Sequence, residues 1–343
     1  MARTSRLLRI LLAGAAVAPA FLCACARDAA TRDAAAPAAL QAESAPPASG
    51  SDQAAAPAQQ GAAGAPPASS SVGRRGRARV PLYPRTHEAV VSIAPGAGLV
   101  VVGHNGPVVV EAQERPDVFI EATVNGVSVE RSQDARIGAG VVDGALHVAF
   151  VWPGGQPEPP ESGTLRILLP MHASGVQVRT RGVVTLVQTA GDAVVRTAEG
   201  DVLIRDHRGA VDAETTNGRV TIERPGGVVA ARTTNGVISI TDAPSRVVAL
   251  TSNAGIDVRL NDLSAGPVRI ETSNAVAHLT VGDAFVGPLT AETTRSAIEV
   301  GPGVDPASVD FDGPGKARFD FGGGEPSMIK TVRGGVRVSR RSP

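Results

Sequence analysis

The chain has 343 residues and a formal net charge of +0 at pH 7, so no bulk electrostatic attraction to nucleic acid or to an acidic partner is expected. Aromatic residues make up 3% of the chain, whereas glycine alone occurs 39 times. That balance suits many short strands joined by tight turns and disfavours long helices. Cys23 and Cys25 are the only cysteines, which excludes a disulfide framework or a thiolate metal site in the rest of the chain.

Residues 1–25, MARTSRLLRILLAGAAVAPAFLCAC, place Arg3, Arg6 and Arg9 around the start of an apolar run from Leu7 to Leu22. This reads as an export signal peptide and is left out of fold reasoning. Leu22-Cys23-Ala24-Cys25 resembles the bacterial lipobox, which implies that Cys25 becomes the lipid-bearing first residue of the mature chain. Ala18-Pro19-Ala20 offers an ordinary A-x-A cleavage site as the alternative. The first route leads to a lipid-anchored protein of the outer membrane or cell surface, the second to a periplasmic or secreted one. No later apolar stretch approaches the length of a membrane span. Residues 26–79 are rich in Ala, Pro, Gly, Ser and Gln, cannot bury enough apolar surface to offset ordering, and read as a disordered linker. A flexible chain of that length spans about 35–40 Å. Arg74, Arg75, Arg77 and Arg79 close it as a solvated boundary.

Residues 80–181 carry irregular strand signals: VVSIA, LVVVG, PVVVEA, VFIEATV, ALHVAFV and TLRILLP. Asn125-Gly126 and Asp143-Gly144 are both hairpin-turn signals.

From 182 to 300 the chain repeats itself. Glycines stand at 182, 191, 200, 209, 218, 227 and 236, and small residues continue the register at Ser245, Ala254, Gly266, Ala275, Gly287 and Ser296. Two and four residues after each marker the side chain is apolar, from Val184/Leu186 through Val220/Ile222 and Ile238/Ile240 to Ile298/Val300. Alternation with period two is strand geometry, and the nine-residue step gives a strand plus a turn. Because Thr-x-Asn recurs only in every second unit (Thr215/Asn217, Thr233/Asn235), two unlike strands make one 18-residue coil. The predicted fold is therefore an all-β, single-stranded parallel β-solenoid, with two strands per coil and irregular β capping segments. Glycine at the markers is expected to supply turn angles denied to other residues.

Stacking coils should bring residues 18 apart into contact. The outer positions obey this: Asp201 meets Arg219, Arg205 meets Glu223, Arg196 meets Glu214, and Glu214 meets Arg232. Thr197, Thr215, Thr233, Thr251, Thr272 and Thr293 fall in one column. Asn217, Asn235, Asn253 and Asn274 fall in another, as a structural turn ladder of amides. One coil cannot bury enough to hold itself ordered, so the unit must repeat. Residues 301–343 comprise an excursion to about Ser327 and a final coil, Thr331 to Val338, closing the far end.

The alternation from Leu99 to Ala112, the TLRILLP strand and the run of T-x-[NE]-G-x-V-x-[VI] coils resemble the bacterial putative-adhesin domain family, over about residues 88–340. The resemblance implies an all-β solenoid at the cell envelope and an adhesin-like role, with no catalytic residues to carry over.

Enzyme chemistry on such a scaffold requires acids clustered on one face of adjacent coils, whereas the acids here are dispersed and matched with arginines. The histidines (His87, His104, His147, His172, His207 and His278) show no metal spacing. Asp312-Gly-Pro-Gly-Lys316 lacks the first glycine and the hydroxyl residue of a phosphate loop, and Asp310 to Gly313 is only a fragment of a calcium loop. No cofactor and no metal are expected. Glycan platforms present aromatic faces, yet none lies between Gly182 and Asp283. Phe150, Trp152, Phe319 and Phe321 are the candidates elsewhere, and packing over the ends of the stack is the preferred role for them. The expectation is a non-enzymatic envelope module, membrane-attached through Cys25, with an envelope glycan or protein ligand left open. The alternative is a β-helix polysaccharide-active enzyme with its site in 88–180 or 301–327.

Overall fold

The computed structural model describes residues 81–341; the signal peptide, Cys25 and the 26–79 segment lie outside them. The chain runs β1 (Tyr83–Val91), β2 (Gly98–Val102), β3 (Val108–Gln113), β4 (Val118–Gly126), α1 (Val129–Asp134), β5 (Arg136–Val142), β6 (Ala145–Val151) and β7 (Ser162–Pro170). It continues with β8 (Val176–Thr180), β9 (Val184–Val187), β10 (Ala193–Thr197), β11 (Val202–Arg205), β12 (Val211–Glu214), β13 (Val220–Glu223), β14 (Val229–Arg232), β15 (Ile238–Ala243), β16 (Val247–Leu250) and β17 (Ile256–Leu260). The last are β18 (Val268–Thr272), β19 (Ala277–Val281), β20 (Pro288–Glu292), β21 (Ile298–Val300), β22 (Val309–Phe311), β23 (Lys316–Asp320), β24 (Ser327–Thr331) and β25 (Val336–Arg340).

The strands form two mostly parallel walls, sheet A of twelve strands and sheet B of thirteen, and from β6 to β21 successive strands alternate between them. The molecule is an all-β parallel solenoid. Val220 pairs with Ile238 and Ile222 with Ile240 on one wall, an 18-residue step, and all four are fully buried. The aliphatic positions of the repeat are at most 2% exposed along the stack. Ile298 and Val300 are the exceptions, half-buried in the terminal coil. A thin interior filled from both walls is the core that the period-two pattern calls for.

Coil order in space departs from coil order in sequence at both ends. Sheet B runs β6-β2-β8 and sheet A runs β7-β3-β9, so the first coil, β2/β3, sits inside the later β6/β7. At the other end β24 lies between β18 and β20, and β25 between β19 and β21. The final coil is thus intercalated, not terminal as its sequence position suggests, and Thr331, not Thr293, follows Thr272 in the threonine column. The reason lies in the excursion. Strands β22 and β23 fold back antiparallel on the outer edge of β20, and the chain then re-enters the stack one layer deeper.

Glycine's role is split: the markers Gly191, Gly209, Gly266 and Gly287 do take positive φ, as expected, whereas others serve a different need. A left-handed backbone recurs every 18 residues at Gln188, Asp206, Arg224 and Asp242, none of them glycine. Gly200, Gly218 and Gly236 instead stand where neighbouring coils nearly touch: a Cβ at Gly218 would collide with the carbonyl of Gly200, and one at Gly236 with that of Gly218. Asn125-Gly126 is not a turn, because β4 runs through it and pairs with β1 and β7. Gly126 is needed there because α1 packs over it, leaving no room beside Ser132. Asp143-Gly144 does form the β5–β6 hairpin, both residues having positive φ.

Candidate functional site

The corner after each sheet-B strand is a double column of polar side chains. Along the regular coils the buried threonine donates its hydroxyl to a carbonyl one layer down: Thr215 to Gly200 at 3.1 Å, Thr233 to Gly218 at 3.2 Å and Thr251 to Gly236 at 3.3 Å. Outside them the asparagine amides link coil to coil. Asn235 Nδ2 donates to Asn217 Oδ1, Asn253 Nδ2 to Asn235 Oδ1, and Asn274 Nδ2 to Asn253 Oδ1, each at 2.7 Å. Asn235→Ala deletes two of these bonds and is expected to cost about 1–3 kcal/mol. A denaturant midpoint that does not move would contradict a structural role for the ladder.

Charge pairing between coils follows the register for two of the four expected pairs, while Asp201 reaches only the backbone of Arg219 and Arg232 takes another carboxylate. Arg205 and Glu223 pair at 2.7 Å, and Arg196 and Glu214 at 3.2 Å. Asp201 accepts from the backbone N–H of Arg219 at 2.7 Å. Arg232, however, leaves Glu214 and pairs with Asp212 at 3.1 Å. Asp212 also pairs with Arg196, so this carboxylate is wedged between two guanidinium groups and outcompetes the exposed Glu214. A pair not anticipated from the strands, Arg224 with Asp206 at 2.6 Å, holds the left-handed corner.

The 80–181 segment contains one buried carboxylate, Glu161. It accepts from Arg131 Nε at 2.7 Å and Nη2 at 2.8 Å, and from the backbone N–H groups of Glu158 at 2.7 Å and Val127 at 3.2 Å. Ser128 caps α1, accepting from Arg131 N, so this pair fastens the helix to the loop before β7. Chiefly the Arg131 hydrogen bonds, then the two backbone donors, hold the Glu161 carboxyl from an ordinary 4.5 down to about 2, against the opposing effect of burial. Its stabilisation is complete above the unfolded-state value and is lost as pH falls through about 2. Glu161→Gln is expected to cost ~3 kcal/mol at neutral pH and to flatten the acid limb of a stability-versus-pH series.

The aromatic candidates lie inside. Phe319 is fully buried and Trp152 5% exposed; Phe321 stacks on Phe319 and meets Phe285 edge-on, and Phe150 packs against Trp152. His207 is buried too, bonded to the Thr189 hydroxyl at 2.9 Å and the Ala210 carbonyl at 3.2 Å, and burial lowers its pKa. Among the described residues no three His, Cys, Asp or Glu side chains converge as a metal site.

Two concavities open on the outer faces. The larger, about 1040 Å³, lies where the β22–β23 hairpin meets sheet B. Opposite charges largely offset each other there, with Arg246–Glu325 at 2.8 Å and Lys316–Glu292 at 3.6 Å. The smaller, about 330 Å³, lies on sheet A over β17, β19 and β25, and is lined by Asp257, Arg259, His278, Thr280, Arg337, Ser339 and Arg341. Sequence order places Glu299 after His278. The intercalated coil puts Arg337 between them, and that exchange adds a guanidinium to the lining of this hollow.

No family model matches the chain, and no curated protein matches it. The chain is similar to solved structures of adhesins so described. One is a "putative cell adhesion protein" of Clostridium sporogenes, 10% identical, covering 76% of this chain and 100% of that one, with a TM-score of 0.24. Another is a "putative adhesin" of Bacteroides fragilis, 13% identical, covering 76% and 97%, with a TM-score of 0.36. A third is a "putative adhesin" of Parabacteroides merdae, 11% identical, covering 74% and 96%, with a TM-score of 0.26. None of these likenesses identifies a ligand or a reaction.

Proposed function

We propose that this chain is an exported, lipid-anchored solenoid of the cell envelope that serves as a non-catalytic, adhesin-like binding or structural module. The observation that carries this reading is that the carboxylates held most firmly along the stack and at Glu161 are tied to arginines. Glycoside or lyase chemistry needs an acid held protonated near neutrality or a base aimed at substrate. Here Asp206 and Glu161 are shifted downward by their arginine partners, and Asp212 and Glu223 are committed to coil-to-coil ion pairs. Such a surface is a fixed array, suited to contact along its length. The alternative, a polysaccharide-active enzyme using 88–180 or 301–327, predicts product release from envelope glycans incubated with the purified chain; retention of glycan or cells without cleavage is expected instead, and cleavage would overturn the reading. The anchor rests on Leu22 to Cys25 and on the polar segment that follows. Cells fed labelled palmitate should mark the wild-type chain and leave Cys25→Ala unlabelled, whereas label on the variant would refute the lipidation.

A further inference from the structure

We propose that the hollow on sheet A binds the oxyanion of an acidic polysaccharide, a uronate carboxylate or a sugar sulfate. This inference rests on the binding-module reading above and names its site. Thr280 and Ser339 face each other on β19 and β25 as the floor. Around them stand Arg259, Arg337 and Arg341; Asp257 is the carboxylate in the lining, while Glu299, Asp242 and Asp262 pair with the arginines from outside it.

The guanidinium groups are held yet not used up. Arg259 pairs with Asp257 at 3.0 Å and Arg337 with Glu299 at 3.8 Å. Arg341 spans Asp242 at 3.3 Å and Asp262 at 3.5 Å. All three keep 40–56% of their side-chain surface exposed. Each carries five N–H donors in a planar fork, so donors remain for a ligand, and a planar fork matches a carboxylate or sulfate edge. The floor hydroxyls can donate to the same oxygens.

A polymer, as opposed to a free ion, is indicated by what leads into the hollow. The register row ending in Asp257, His278 and Arg337 begins with Thr185, Leu203, Thr221 and Ser239, a track of short, mostly hydroxyl side chains at strand spacing. It offers hydrogen bonds to sugar hydroxyls without obstructing them. A polynucleotide is disfavoured, because residues 182–283 contain no Phe, Tyr or Trp on which bases could stack.

Calorimetric titration of the full chain with a galacturonic-acid hexamer, a neutral galactose hexamer and inorganic phosphate tests this. The acidic hexamer should bind, more weakly as salt shortens the screening length, and the neutral one should not. Arg337→Gln should weaken binding about tenfold or more, and Thr280→Val should weaken it too. Arg205→Gln, on the same wall away from the hollow, should not; unchanged unfolding midpoints certify the variants. Acidic hexamer that does not bind, or binds Arg337→Gln equally well, overturns the assignment. Phosphate binding alone overturns it as well, leaving only an ion site. Binding of the neutral hexamer in place of the acidic one overturns this inference while leaving the binding module standing. Cleavage of either hexamer would instead refute the non-catalytic reading.

Discussion

Removing residues 327–343 is expected to release far more of the molecule than the deleted length. In a solenoid read in sequence order, that cut would trim a terminal coil and fray one edge. Here it withdraws an inner layer from both walls: β24 is paired on both sides, with β18 and β20, and β25 with β19 and β21. Ile329, Val336 and Val338 are buried, worth roughly 4–9 kcal/mol together. The Gly334 carbonyl accepts both the Thr293 and the Thr331 hydroxyls, and the Ser327 hydroxyl accepts the Val268 N–H. Without these contacts β20 to β23 have no neighbour to rest on. Hydrogen exchange on the truncated chain should show protection lost from 288 to 320 and retained around Val220 and Ile238. Protection surviving at 288–300 would refute the intercalated order.

The second large effect is expected at Gly218. Alanine there needs no unusual backbone angle, so propensity alone would call the change neutral or helpful. The added methyl nevertheless meets the Gly200 carbonyl of the layer below, which also accepts the Thr215 hydroxyl. Relief requires moving backbone in a stack whose spacing is fixed by its hydrogen bonds, and a loss of about 3 kcal/mol is expected. Gly140→Ala is the control, with nothing within 4 Å of its Cβ and an expected change within about 0.5 kcal/mol. Thermal midpoints of the two variants should separate clearly; equal midpoints would mean that the corner yields.

What the sequence showed and what it hid divide along physical lines. Period-two alternation with an 18-residue step was sufficient for the solenoid, for the wall shared by Val220 and Ile238, and for the Arg205–Glu223 pair, because each is a nearest-neighbour property of a repeat. The order of coils at the ends is not such a property. Nothing in Thr331 to Val338 marks that coil as an inner layer, since its pattern matches an inner or outer position equally well. The arginine-lined hollow was hidden for the same reason: Arg337 meets His278 only through the inserted coil. Glycine misled differently. Its spacing revealed the corners, but composition cannot distinguish a turn angle, as at Gly191 and Gly209, from a close approach, as at Gly218 and Gly236, and one further column of left-handed positions went to Gln188, Asp206, Arg224 and Asp242. Helix α1 escaped because six residues between strands carry too little periodicity to register.

The amide column has a sense of direction. Every Nδ2 bonded within it points toward the start of the chain and every bonded Oδ1 toward its end, so the amide dipoles align head to tail instead of cancelling. The free donor edge belongs to Asn217 and the free acceptor edge to Asn274. In the layers beyond, the corner position is filled by Glu199 beneath Asn217 and by Arg333 above Asn274. By register an acid thus occupies the layer before the electropositive tip and a base the layer after the electronegative one, the same sense of charge that favours helix ends. The column is therefore polarised and terminated at both tips, which confines it to four rungs in a stack that could otherwise have carried it further.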